Sequence, residues 1–146
     1  MPQPLDVRLR LGVLLRRSHS RSAAALNASL TPFGLTGRHL GVMLVLARDE
    51  VSSQRELIGA LGSDKAGMAR TVEDLDALGY LSRTQSATDK RVAELRLTAA
   101  GRGAFAAAHR AAGTTAEGLF ASFTMVELEA LELLLTRFVE AGRGQQ

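Results

Sequence analysis

The chain predicts a mainly α-helical fold with one small β-hairpin, on three observations. Apolar residues recur at helical spacing over most of its length. Two capping boxes, Ser53–Glu56 and Thr124–Glu127, mark helix starts, and the stretches YLSRTQ and VAELRLT read as two short strands. With 146 residues and 46% hydrophobic content, residues 1–146 form a single domain large enough to bury a core.

Each element follows in order. Residues 7–30 carry Val7, Leu11, Leu14, Leu15 and Leu26 on one stripe of an otherwise basic helix, which Pro32 and Gly34 interrupt. Thr36 caps a second helix holding Leu40, Met43, Leu44 and Leu46. The Ser53 box opens a short third helix with Leu57, Ile58 and Leu61 inside, and Gly62 ends it. Ser63 is placed to cap a fourth, residues 63–78, whose inward residues are Met68, Val72, Leu75 and Leu78, with Gly79 as its stop. Two short helices joined by so tight a junction must cross steeply, which is helix-turn-helix geometry. A hairpin follows directly, with Ala93, Leu95 and Leu97 inward and SATDKR as its connection, so residues 36–98 form a winged helix-turn-helix. An Ala-rich helix from Ala99 to Leu119 comes next, then one with Leu128, Leu131, Leu135 and Phe138 along a face. The winged unit is too small to cover these outer stripes, so residues 5–30 and 99–141 are expected to bundle across a two-fold axis as dimerisation helices.

Composition excludes several classes. Without cysteine there are no disulfides or thiolate ligands, and no apolar run reaches the roughly 20 residues a bilayer needs. A cytoplasmic protein without a membrane partner is the expectation. His19, His39 and His109 form no compact ligand spacing, so neither a metal nor a cofactor is expected. A nucleophile elbow and a phosphate-binding glycine loop are both missing, which argues against an enzyme. The net charge of +3 is unevenly placed: residues 1–48 hold seven Arg against one Asp, whereas residues 63–97 balance six against six. A uniformly basic nucleic-acid glove is therefore not the picture.

Within the winged unit, the outward face of the fourth helix offers Ser63, Lys65, Ala66, Ala69 and Arg70 to a major groove, where the basic pair suits phosphates or guanine edges. Glu73, Asp74 and Asp76 in the later turn would be repelled by phosphate and must face away or pair within the protein. In the wing, Lys90 and Arg91 are the expected contacts, with Arg91 the better suited to a narrow minor groove and Asp89 as its orienting support. The competing reading of these charges is an ordinary solvated face.

These segments resemble the MarR family of winged helix-turn-helix regulators. The likeness runs through GLTGRHLGVMLVLA, SSQRELIGALGSDKAGMARTVEDLDALGYLSR and TDKRVAELRLTAAGR, and is most specific at Asp89-Lys90-Arg91 followed by Leu97-Thr98-Ala99-Ala100-Gly101. The resemblance implies a homodimer that reads a pseudo-palindromic operator in double-stranded DNA, commonly as a repressor. It further implies release by a small effector, often an anionic aromatic such as an aromatic carboxylate. One departure stands out: Gly67 and Ala69 occupy positions where the family often has hydroxyl side chains, and a mid-helix Gly costs about 1 kcal/mol relative to Ala.

Positive charge on the first helix suggests where such an anion is held. Arg16 and His19, three apart and on one face, with His39 on the next helix, are the candidate effector ligands. The alternative is that Arg16 and His19 are solvated or pair with Glu residues across the dimer; Arg17, Arg21 and His109 are read that way. Two other functions stay open from sequence: a constitutive or activating DNA-binding protein without an effector, and a winged-helix protein-interaction module.

Overall fold

The computed structural model describes Pro4 and residues 6–144; Leu5, the first residue of the expected N-terminal dimerisation segment, lies outside them. Six α-helices and one hairpin follow in order: α1 (Val7–Leu30), α2 (Gly37–Asp49), α3 (Gln54–Leu61), α4 (Lys65–Ala77), β1 (Leu81–Gln85), β2 (Ala93–Leu97), α5 (Ala99–Leu119) and α6 (Met125–Arg143). A single 3-10 turn, Thr31–Phe33, separates α1 from α2 and ends on Gly34 at φ +68°, a left-handed conformation that glycine adopts without a side-chain clash. No single helix among the described residues is long and apolar enough to cross a membrane.

The caps explain most boundaries. Ser53 accepts from the Glu56 N–H while the Glu56 carboxylate accepts from the Ser53 N–H, and Thr124 with Glu127 repeats the arrangement at α6. For α4 the cap is Asp64, whose Oδ1 accepts from the Gly67 N–H; Ser63, the residue expected there, lies one position earlier and donates to the Asp64 carbonyl at 3.2 Å. The carboxylate both captures the free donor and places a negative charge at the positive end of the helix dipole, which a hydroxyl does not.

The core lies between α2, α3, α4 and the hairpin. Leu30, Met43, Leu57, Val72 and Leu75 are fully buried, each side chain contributing roughly 1.5–3 kcal/mol through removal from water. Three inward assignments shift: Leu44, Leu61 and Leu78 are exposed, while Val42 and Val45 turn to the core in place of Leu44. In the hairpin Leu81 pairs with Leu97 and Arg83 with Leu95, antiparallel; Leu95 and Leu97 are buried, and Ala93, expected beside them, is exposed where it pairs with Gln85 next to the connecting loop. A third short segment adds to β2: Ser52 and Leu95 exchange backbone hydrogen bonds at 2.8 and 3.1 Å. The wing is thereby stitched to the α2–α3 junction.

The outer helices divide in two. α5 packs against α1 and α2 of its own chain, with Ala108 fully buried. The expected stripe of α6 is partly covered at Leu128 and Leu131, but Leu135 and Phe138 are 39% and 65% exposed, and off the stripe Leu133 on α6 and Leu9 on α1 are 70% and 62% exposed. At its far end α6 touches α3, where Arg143 donates to the Gly59 carbonyl at 3.4 Å.

Candidate nucleic-acid interface

Met68, Val72 and Leu75 fix one side of α4 in the core, so the opposite side is presented to solvent. Lys65, Ala66 and Arg70 are exposed there and Ala69 is half-buried, as the spacing predicts. Gly67 does not belong to that face. It is buried in the first turn, where an added methyl group lies 3.0 Å from Asp64 Oδ1 and 3.5 Å from Arg38 Nη1. A side chain at 67 therefore meets the cap, and the solvent-facing side of α4 loses no hydroxyl there; the glycine serves the close wrap of Asp64.

The acidic turn is dealt with largely by pairing. Asp74 Oδ2 lies 2.9 Å from His39 Nε2, and Asp76 Oδ2 lies 3.4 Å from Arg83 Nε on β1. Both pairs tie α4 to its neighbours, and the Arg83 guanidinium offsets the Asp76 charge. Glu73 stays exposed.

At the wing, Asp89 grips Arg91 three times: Oδ1 accepts from the Arg91 N–H at 3.0 Å and from Nε at 3.2 Å, and Oδ2 from Nη2 at 3.4 Å. Side-chain and then backbone hydrogen bonds from Arg91 lower the Asp89 pKa, with desolvation opposing. The Arg91 side chain is nonetheless 91% exposed, so the guanidinium is oriented yet available. Lys90 is exposed beside it, its carbonyl accepting from Gln85 Nε2 at 3.4 Å. Ser86 supports the loop from below: its buried Oγ accepts from the Thr88 and Asp89 N–H groups at 3.3 and 3.4 Å. Sequence reasoning missed Ser86; the signal was a hydroxyl two and three residues ahead of a turn Thr-Asp.

A cavity of about 710 Å³ opens behind the winged unit, between α1, the start of α2 and α5. Its polar groups include His19, Asn27, Thr36, Arg38 and Thr115, and its apolar wall includes Leu26, Leu119 and Phe120. Of the expected effector ligands only His19 lines it. Arg16 is exposed on α1 outside the lining, and His39 is a structural residue: Nδ1 accepts from the Thr36 N–H at 2.9 Å and Nε2 faces Asp74. Arg38, one residue away, supplies the guanidinium that Arg16 does not; its only sequence signal was a basic residue at a helix start. Among the described residues no group of three His, Cys, Asp or Glu is placed to hold a metal ion.

A helix-turn-helix with a hairpin wing, flanked by one N-terminal and two C-terminal helices, defines the winged helix-turn-helix class. Residues 33–92 match the model of the MarR family. The HTH-type transcriptional regulator BilQ of Clostridium symbiosum (strain WAL-14163) is 44% identical over 57 residues, covering 39% of this chain and 40% of BilQ. The aligned segment thus spans about two fifths of that relative. Across the whole fold, an E. coli MarR mutant complexed with operator DNA superposes with TM-score 0.83 at 24% identity, covering 92% of this chain and 99% of that one. Bordetella bronchiseptica BpsR, whose DNA binding is regulated by 6-hydroxynicotinic acid, gives 0.81 at 24% identity, with 89% and 98% covered. The match to the MarR family is thus confined to residues 33–92, and the fold of MarR structures extends over nearly the whole chain.

Proposed function

We propose that the protein is a DNA-binding transcriptional regulator of the cytoplasm, acting as a homodimer on a pseudo-palindromic operator and repressing until a small anionic effector releases it. The observation that carries the reading is the pairing of two presented basic features on one winged unit. Lys65 and Arg70 stand on the free side of α4, and Arg91 is held ready by Asp89 at the wing. α4 enters a major groove by its N-terminal half, where backbone N–H groups add donors, while Asp74 and Asp76 of the acidic half are held by His39 and Arg83. Ser63 and Lys90 flank these contacts. Arg91 reaches the adjacent minor groove, where its planar fork meets several acceptors.

The dimer reading is supported by the apolar residues left exposed on α1 and α6, which face water in a single chain and are covered by a second copy. The effector reading is supported by the cavity: Arg38 and His19 suit a carboxylate, and Phe120 with the aliphatic wall suits an aromatic ring. BpsR, with a similar fold, responds to an aromatic carboxylate.

Titration calorimetry with salicylate and 6-hydroxynicotinic acid, paired with gel shifts on the DNA flanking its own gene, tests the reading. Binding that weakens steeply with salt, and is reversed by a ligand whose heat of binding is lost in Arg38→Ala, supports it. Salt-insensitive or undetectable DNA binding overturns it; DNA binding without any ligand heat removes the effector part alone.

A further inference from the structure

The turn that opens α2 touches both the cavity and the recognition helix. Thr36 and Arg38 line the cavity, and Arg38 also lines a smaller cleft of about 290 Å³ that runs to the start of α4 past Ser63 and Asp64. Its guanidinium stands over the first turn of α4, 3.5 Å from a methyl group added at Gly67. The next residue, His39, reaches the other end of the groove-facing stretch. Its side chain is 11% exposed, and its Nε2 lies 2.9 Å from Asp74 Oδ2.

The hydrogen bonds of His39 define one arrangement. A backbone N–H only donates, so Nδ1, 2.9 Å from the Thr36 N–H, is the acceptor, and Nε2–H is then the donor to Asp74. That same bond belongs to the capping box of α2, which makes residues 36–39 a rigid turn. Arg38 lies inside this turn, next to His39.

We propose that Arg38 and His39 are positioning residues for the recognition helix. An occupant of the cavity draws or pushes the Arg38 guanidinium off the first turn of α4, and the α2 turn passes the shift through His39 to Asp74. The two residues bracket Lys65 to Arg70, so the displacement tilts the stretch that faces the groove. The inference rests on the reading of α4 as the DNA-facing helix and of the cavity as an effector site, and adds the route between them.

The test fills the cavity from within, so no identified ligand is needed. Ala112→Phe adds an aromatic ring to the lining, and Ala23→Phe is the second choice if the first does not fold. DNA affinity is compared with and without the filling substitution in four backgrounds: wild type, Arg38→Ala, Asp74→Ala and Asp74→Asn. The expected loss on filling is at least tenfold in wild type and under threefold in Arg38→Ala and Asp74→Ala. Asp74→Asn restores the response, since its amide oxygen still accepts from His39 Nε2–H. A merely structural role for these residues does not produce that rescue. Equal losses in all four backgrounds, or none in wild type, overturn the proposal. Amide exchange across residues 65–71 provides a readout without DNA. Filling accelerates exchange there in wild type but not in Arg38→Ala, and unchanged exchange in wild type overturns the route even if the DNA reading itself has failed.

Discussion

Gly101→Ala removes no contact and adds one methyl group, yet it strikes the joint between the wing and α5. Thr98 caps α5 by accepting from the Gly101 N–H at 3.0 Å. The same residue ties the helix to the α4–β1 junction, with its N–H donating to the Tyr80 carbonyl at 3.0 Å and its hydroxyl to the Gly79 carbonyl at 2.6 Å. These bonds press the Gly101 Cα onto Tyr80, so an added Cβ falls 2.0 Å from Tyr80 O and 2.8 Å from Tyr80 C. A carbon beside a carbonyl oxygen needs about 3.3 Å. The obstacle is backbone and has no rotamer to turn, so α5 must retreat by more than about 1 Å. Retreat strains or breaks the two tethers from Thr98, at about 1 kcal/mol each, and adds an overpacking cost of about 1–3 kcal/mol. Better helix propensity of Ala returns at most about 1 kcal/mol. The net loss is about 2–4 kcal/mol, which for a chain of this length lowers Tm by about 5–15 °C. Gly103→Ala is the matched control on the same helix: nothing lies within 4 Å of its added Cβ, so it is neutral or slightly stabilising. Thermal unfolding at fixed protein concentration measures both. A Gly101→Ala protein melting within about 2 °C of wild type refutes the close-approach argument.

Other consequences follow from the wing and the outer helices. Arg91→Ala weakens operator binding more than tenfold with the dimer intact; gel-shift titration at fixed salt showing unchanged affinity contradicts it. Because Arg91 lowers the Asp89 pKa, the clamp persists at and above the ordinary carboxylate range, near pH 3.9 when unfolded, and is lost as pH falls through the lower folded value. The Arg91 amide resonance should accordingly move only in acid, and a transition centred near neutrality counts against the assignment. Phe138→Glu, on the exposed face of α6, shifts sedimentation toward the monomer; a dimer of undiminished affinity shows that another face forms the interface.

Elements defined by local chemistry were readable in advance. The Ser53 and Thr124 boxes, Gly62 and Gly79 each act within one helical turn, and the structure begins or ends helices at them. The presented side of α4 was readable because Met68, Val72 and Leu75 leave one orientation for Lys65 and Arg70. What escaped depends on partners distant in sequence. His39 looked like a free imidazole until Asp74, 35 residues away, proved to hold it. Ser52 gave no strand signal because its pairing is with Leu95 alone. Arg38 displaced Arg16 as the cavity's guanidinium because the 3-10 turn sets how α2 leaves α1, and helical periodicity carries no information about such a joint. Gly101 was visible only as part of a resemblance; the reason for glycine there is the Tyr80 carbonyl.

Selection of bound sequences from a random duplex pool tests the central claim most directly, that two copies of this winged unit read DNA through α4 and the wing. The account predicts enrichment of a pseudo-palindrome whose half-sites lie about one helical turn, 10–10.5 bp, apart or a multiple of it, with enrichment lost in Arg70→Ala and Arg91→Ala. A pool that stays random with the wild-type protein, or enriches equally with both variants, contradicts it.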